Sequence, residues 1–166
     1  MTETNPFADV LEANLEWAST VPQPELDAVA ARGLAVLTCM DSRIDPLGML
    51  GLKKGDAKIL RNAGARVTQD VLRTTVLASY LLGVTRLMIV QHTGCRMAQG
   101  TEADVHRAIT DAGGPDTRSI SFKTTTDQEA ALRHDVQRIT SWPYLNNLSV
   151  GGFLLDLKTG RIGQVC

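Results

Sequence analysis

The chain has 166 residues, of which 43% are hydrophobic and 21% are charged, and this length and composition suit one globular domain with a real core. The formal net charge is −1 and no block of like charges occurs, so neither a nucleic-acid partner nor an anionic membrane surface is indicated. The longest apolar stretches are only of strand length, which predicts no membrane-spanning segment.

The cysteines and the N-terminal sequence predict a cytoplasmic protein. Three cysteines, an odd number, argue against a disulfide framework. The first residues lack the basic region followed by an apolar stretch that marks a signal peptide. A reducing compartment would leave thiols free to bind metal. Cys166, at the C-terminus, is interpreted as an incidental thiol.

The chain begins with a predicted helical arm, residues 1–33. Asn5 and Pro6 suit a helix start, because Asn can cap a helix and Pro fits the first helical position. Large apolar side chains follow along one side of this helix, which packs either on the protein's own core or on a neighbouring subunit. A second helical segment is predicted from Pro24 to Arg32, ended by Gly33.

Residues 34–166 are predicted to form a single α/β domain in which strands alternate with helices. The predicted strands are Leu34–Leu37, Ala57–Leu60, Arg86–Gln91, Gly152–Leu157 and Arg161–Val165. The predicted helices are Thr68–Leu82, Thr101–Ala112 and Thr126–Ser141, with a helical turn from Leu47 to Leu50. The long helix from Thr68 is expected to bury Val71, Leu72, Val76 and Leu77. Strands separated by helices indicate a mostly parallel central sheet flanked by helices, and the C-terminal hairpin is expected to add an antiparallel edge strand.

Two segments with metal-ligating side chains come directly after predicted strands. Cys39-Met40-Asp41-Ser42-Arg43 follows the first strand, and His92-Thr93-Gly94-Cys95 follows the third. In open parallel sheets, ligands bind outside the carboxyl ends of the strands, so the two segments are expected to converge. Thiolate and imidazole are ligand types that zinc prefers. The pair of segments therefore predicts a zinc site for hydrolysis or hydration.

Each of these residues taken singly has a plainer explanation. A cysteine at the end of an apolar strand is more often a packing residue, and a single histidine after a strand usually makes a local hydrogen bond. Asp41 and Arg43 could form an ordinary surface salt bridge. Next to a metal the same pair would have a specific role, because an arginine that holds both carboxylate oxygens would keep Asp41 from ligating the ion.

The two segments resemble the β-class carbonic anhydrases, and Arg61-Asn62-Ala63-Gly64 is similar to a stretch that this family carries between them. The resemblance covers about residues 34–100, and the short chain is similar to the compact branch of the family. It implies Zn²⁺ as cofactor and reversible hydration of CO2 to bicarbonate, with zinc-bound hydroxide as the nucleophile. The residues carried over are Cys39, His92 and Cys95 as zinc ligands and Asp41 and Arg43 as a gating dyad. Gly64 and Arg96 are further candidates for contact with the substrate.

The resemblance also implies a homodimer or homotetramer whose N-terminal helices embrace the partner subunit. One departure from the family is Arg96, since the family usually has glycine directly after the second cysteine. If that position requires a backbone shape open only to glycine, Arg96 would strain the loop. Two alternatives stay open at this point: a carbonyl sulfide or carbon disulfide hydrolase on the same scaffold, and a zinc-binding but inactive homologue.

Overall fold

A mixed sheet forms the centre of the structure, a computed structural model that describes residues 5–22 and 24–166. Its strands are β1 Leu34–Cys39, β2 Ala57–Asn62, β3 Arg86–His92, β4 Ser149–Leu155 and β5 Ile162–Gln164. The spatial order is β2-β1-β3-β4-β5, and the first four strands are parallel while β5 runs antiparallel to β4. The predicted α/β class, with its antiparallel edge, is confirmed.

Helices flank the sheet, and three of them begin at a side-chain cap. Within the described residues they are α1 Ala8–Thr20, α2 Gln69–Leu81, α3 Glu102–Asp111 and α4 Gln128–Thr140, with 3-10 turns at Gly48–Leu50, Ala63–Ala65 and Arg96–Ala98. Thr68 caps α2, Thr101 caps α3 through a capping box with Asp104, and Asp127 caps α4. These caps satisfy backbone N–H groups that have no partner inside the helix, and so fix where each helix starts.

The predicted helix from Pro24 to Arg32 is wrong, because this segment consists of turns and irregular chain. Its backbone donors bond to neighbouring loops instead of to the segment itself: the Ala30 N–H donates to Leu82 O, and the Ala31 N–H to Gly55 O. These tertiary bonds replace the helical pattern. The predicted helical arm, residues 1–33, is therefore helical over α1 only, and residues 1–4 and 23 of it lie outside the described residues.

Two apolar clusters cover the two faces of the sheet, and β1 contributes to both. Ala35 and Leu37 belong to the cluster under α2 and α4, whereas Leu34 and Val36 belong to the cluster on the opposite face. Every residue of β1 is buried, as expected for a parallel strand covered on both sides. The strand that ends at Cys39 is therefore packed against the core on both of its faces.

Burial on α2 differs in part from the expected pattern. Val71 and Leu72 are buried, but Leu77 is 45% exposed and Thr75 and Ala78 take the inner positions instead. Val71, Thr75 and Ala78 are spaced by four and three residues and so lie on one face of the helix, whereas Leu77 lies off this stripe.

Helix α1 has no buried residue in the chain by itself. The large apolar side chains of this helix, and those just before and after it, face solvent. They are Phe7, Val10, Leu11, Leu15, Trp17 and Val21. Among the described residues, no helix combines the length and apolar character needed to cross a membrane.

Replacing Leu37 by Ala is expected to lower the free energy of unfolding by about 2–5 kcal/mol, because the side chain is fully buried and the change leaves a cavity. Urea or thermal unfolding measures this difference. The control is Leu81→Ala on α2, where the side chain is 69% exposed and the change should be within about 0.5 kcal/mol. Equal losses in the two variants would contradict the assigned core.

Candidate metal centre

The two predicted ligand segments meet at the carboxyl ends of β1 and β3, which are neighbours in the sheet. Cys39 is the last residue of β1 and His92 the last of β3, while Cys95 follows after a turn. The Sγ atoms of Cys39 and Cys95 lie 4.0 Å apart, and the ligand atoms of Cys39, His92 and Cys95 all lie within 4.8 Å of one another. All three residues are buried. The structure thus brings Cys39 together with His92 and Cys95, although Cys39 and Cys95 are 56 residues apart in sequence.

The chemistry of this cluster fits a zinc ion. His92 Nδ1 lies 2.9 Å from the carbonyl oxygen of Thr93, which orients the ring. Its other nitrogen, Nε2, is buried and has no hydrogen-bond partner within the described part of the chain. A buried polar atom without a partner is costly, and a metal ion would remove that cost. Two sulfurs and one imidazole nitrogen are a donor set that zinc accepts, and they leave one coordination position open.

The charge balance of the two thiols also favours a cation. Burial raises the pKa of the Cys95 thiol, and the adjacent Cys39 raises it further. Two neighbouring thiolates are therefore unfavourable unless a positive ion lies between them, and metal binding is what would displace their protons. The backbone N–H of Gly64 donates to Cys39 Sγ at 3.4 Å, which also supports a negative sulfur.

Asp41 is held by Arg43 through two side-chain hydrogen bonds. Arg43 Nε donates to Asp41 Oδ1 at 2.9 Å, and Nη2 donates to Oδ2 at 2.6 Å. The backbone N–H of Arg43 adds a third bond, to Oδ1 at 3.0 Å. The Arg43 guanidinium therefore holds the pKa of the Asp41 carboxyl well below its usual range. Asp41 Oδ2 lies 3.8 Å from His92 Nε2, so an ionised carboxylate stands beside the cluster without bonding to it.

A cavity of about 650 Å³ opens in front of the cluster. Its lining includes the sulfurs, the Asp-Arg pair and both predicted substrate contacts: Cys39, Met40, Asp41, Ser42, Arg43, Ala63, Gly64, Cys95, Arg96 and Met97. A space of this size accommodates a small molecule easily. The structure therefore gives a small substrate access to the side of the cluster on which Asp41 lies.

The two predicted substrate contacts differ in what their backbones require. Gly64 has a φ of 77°, and a Cβ there would lie 3.1 Å from the Cβ of Met97, so the position needs glycine. Arg96 begins a 3-10 turn, and its φ is not in the left-handed region. The strain expected at Arg96 in place of glycine is therefore absent.

Sequence reasoning missed side chains that hold the site from outside. Arg61 donates to the backbone oxygens of Cys39 at 3.0 Å and Asp41 at 2.6 Å, which fixes the course of the chain between them. Gln128 of α4 donates to the carbonyl oxygen of His92 at 3.1 Å. In the sequence, Arg61 stands out only as part of the Arg61-Asn62-Ala63-Gly64 stretch, and no contact is predicted for it. For Gln128, 36 residues from His92, no local pattern gives a signal.

Comparisons with known proteins identify carbonic anhydrases as similar to this chain in sequence and in fold. Residues 34–162 match the sequence model of a family described as carbonic anhydrase. A protein named β-carbonic anhydrase 1 from Mycobacterium tuberculosis is 35% identical over 158 residues, which cover 95% of this chain and 96% of that protein. A crystal structure of carbonic anhydrase from Streptococcus mutans is 31% identical, with a TM-score of 0.90 and coverage of 98% of this chain and 99% of that one.

A relative with a different name is also similar to the chain. A carbon disulfide hydrolase from Acidithiobacillus thiooxidans is 26% identical over 152 residues, which cover 79% of this chain and 76% of that protein. Similarity in sequence therefore extends to proteins named for two different substrates.

Proposed function

The chain belongs to the β-carbonic anhydrase family, and on this premise we propose that, with zinc bound, it catalyses the reversible hydration of CO2 to bicarbonate. The observation that carries the proposal is the buried cluster of Cys39, His92 and Cys95, whose ligand atoms lie within 4.8 Å of one another in front of an accessible cavity. These three residues would hold the ion. Bound zinc lowers the pKa of a water molecule towards neutrality and so supplies a nucleophile for the carbon of CO2.

The Asp41–Arg43 pair is proposed to select and orient that water. Both oxygens of Asp41 accept hydrogen bonds from Arg43, so the carboxylate is disfavoured as a further metal ligand. Because its pKa is low, Asp41 is ionised across the neutral range, so it can accept hydrogen bonds but donate none. Oδ2, which faces His92 Nε2 at 3.8 Å, is the atom that accepts a hydrogen bond from the attacking water.

Gly64 and Arg96 are proposed to contact the substrate. Both line the cavity in front of the sulfurs. The Gly64 N–H already donates to Cys39 Sγ, so its contribution to the substrate is the close approach that the missing side chain permits. Arg96 places an exposed positive charge at the cavity, which favours the bicarbonate anion over neutral CO2.

Carbonyl sulfide or carbon disulfide hydrolysis is the second candidate, favoured by the similarity to a carbon disulfide hydrolase. Both molecules are linear like CO2 and present an electrophilic carbon to the same nucleophile. The identity to that relative is 26%, against 35% to the mycobacterial β-carbonic anhydrase, so CO2 is the preferred substrate of the proposal.

Stopped-flow CO2 hydration on the zinc-loaded, full-length protein tests the proposal directly. The same preparation should be assayed for hydrogen sulfide release from carbonyl sulfide and carbon disulfide. Rapid CO2 hydration with little sulfide release supports the proposal. Sulfide release without CO2 hydration would replace it with the second candidate, and no rate above the metal-free protein would indicate an inactive homologue.

Activity is expected to rise from mildly acid to alkaline pH. The attacking water must lose a proton, and two thiolate ligands cancel the formal charge of the ion, so they acidify the water less than neutral ligands would. The lowered pKa of Asp41 keeps this group ionised throughout that range, so the rise should not come from Asp41. Measurement of kcat/KM against pH tests this prediction, and a flat profile would contradict it.

We also propose that the protein is a cytoplasmic homodimer or homotetramer. The three cysteines are free, which suits a reducing compartment. The apolar side chains of α1 are exposed in the single chain and would be covered if α1 embraced a partner subunit. In this proposal residues 1–33 are the arm that makes the contact, and residues 34–166 are the catalytic domain.

A further inference from the structure

We propose that the buried ion pair between Asp135 of α4 and Arg66 positions the Cys39 sulfur for the metal. We call this ion pair the α4 clamp. It lies against the turn formed by residues 62–67. The inference rests on the proposed zinc-dependent function. It assigns a role to two charged side chains that the chemistry described above leaves unused.

The pair lies almost entirely out of solvent. Asp135 is 2% exposed, and the Arg66 side chain is 12% exposed. Arg66 Nε donates to Asp135 Oδ2 at 2.6 Å, and the backbone N–H of Val67 donates to the same oxygen at 3.2 Å. Burying two charges has a desolvation penalty that often cancels their attraction, so such a pair is a poor device for stability alone. A role in fixing geometry accounts for it better.

The pair holds one end of a strained turn, at Arg66 and Val67, and the Asn62 side chain ties the other end to it. The Asn62 side chain donates to Arg66 O at 2.7 Å and accepts from Arg66 N–H at 2.8 Å, which closes the turn on itself. Inside the turn, Ala65 has a φ of 53°, a left-handed conformation that non-glycine residues seldom adopt. Such a conformation persists only where surrounding contacts impose it. The α4 clamp supplies those contacts.

The turn places one hydrogen-bond donor at the metal centre. Gly64, next to Ala65, directs its backbone N–H at Cys39 Sγ, 3.4 Å away. An N–H bond to a ligating sulfur fixes its direction and stabilises the thiolate, as partners outside the ligand set do for other metal ligands. Asp135 therefore acts on the sulfur through Arg66 and the turn, without touching it.

Other side chains of α4 support the same arrangement. Gln128, in its first turn, donates to the carbonyl oxygen of the ligand His92 at 3.1 Å. Arg138 donates to Val67 O at 2.6 Å, beside the contact from Asp135. One helix thus holds the backbone of the ligand His92 and, separately, the end of the turn whose N–H reaches the sulfur of Cys39.

Asp135→Asn in the full-length protein tests the inference. Zinc affinity, measured by competition with a chromogenic chelator, is expected to fall about 10–100-fold. In the cobalt-substituted protein, the thiolate-to-cobalt charge-transfer band is expected to shift, because one sulfur loses its N–H bond. The control is Ile139→Val on the same helix, a fully buried side chain that loses one methylene-sized group. Its melting temperature should fall while its zinc affinity and cobalt band stay unchanged.

A second variant keeps the test decisive if Asp135→Asn does not fold. Arg66→Lys retains the positive charge beside Asp135 but loses the guanidinium bonds to both Asp135 and Lys123 O. It should move the cobalt band in the same direction as Asp135→Asn.

If the folded variants lose only melting temperature, as Ile139→Val does, the inference is overturned. Zinc affinity and the cobalt band need no substrate. They therefore decide the role of the pair even if the protein proves unable to hydrate CO2, so that result would refute the proposed function alone.

Discussion

Cys39→Ser is expected to lose its zinc on dialysis and to hydrate CO2 at least about 10³-fold more slowly than the parent, since the metal supplies several kcal/mol of the catalysis. Cys39 is one of two sulfurs in a three-residue donor set. A serine hydroxyl stays protonated where a thiol would ionise, so the site loses both a ligand that zinc prefers and a negative charge. The Gly64 N–H would also lose its thiolate acceptor.

The measurement is zinc content by atomic spectroscopy together with stopped-flow CO2 hydration. Cys166→Ser is the matched control, because Cys166 is also a free cysteine but does not belong to the cluster. It should keep its zinc and its rate. A Cys39→Ser protein that retains both would show that the cluster is not the metal site.

The meeting of Cys39 and His92 could be predicted from sequence because it follows from topology alone. The runs that end at Cys39 and His92 are separated by a strand and a helix, which favours a parallel sheet, and parallel strands of one sheet end at the same edge. The helix starts at Thr68 and Thr101 are equally local, since each cap is a side chain bonded to the first turn of its own helix. The last helix is predicted from Thr126, and its cap is the next residue, Asp127.

What sequence could not supply are contacts between distant parts of the chain. Pro24–Arg32 has an acceptable local pattern for a helix, yet its backbone donors bond to loops elsewhere. Asp135 and Arg66 are 69 residues apart, and nothing in the sequence around either marks a buried pair. At Arg96 the sequence predicts strain that the structure does not have. The residue departs from the family pattern, but it lies in a 3-10 turn whose backbone accepts arginine.

The chain contains two Asp-x-Arg pairs that are nearly identical in isolation. Arg43 contacts Asp41 through Nε at 2.9 Å and Nη2 at 2.6 Å, and Arg118 contacts Asp116 through Nε at 3.0 Å and Nη2 at 2.6 Å. In both pairs the arginine lowers the pKa of the carboxyl. They differ in surroundings: the Asp41 side chain is 19% exposed and lies beside His92, whereas the Asp116 side chain is 59% exposed.

This difference makes the second pair a control for the first. Arg43→Gln is expected to lower kcat/KM for CO2 hydration about 100-fold while zinc is retained, because a carboxylate released next to the metal can ligate it and no longer orients the water. Arg118→Gln removes the same kind of bond outside the cavity at the cluster and should leave the rate unchanged.

The two variants together separate a role in catalysis from a role in local structure. If the Asp-x-Arg pair only stiffens its own loop, both substitutions should have equally small effects, as is usual for exposed ion pairs. A large loss in Arg43→Gln alone, with a changed spectrum in the cobalt-substituted protein, would place Asp41 on the metal once Arg43 is removed. Equal rates in the two variants would mean that Arg43 has no such gating role, even if Cys39, His92 and Cys95 bind zinc.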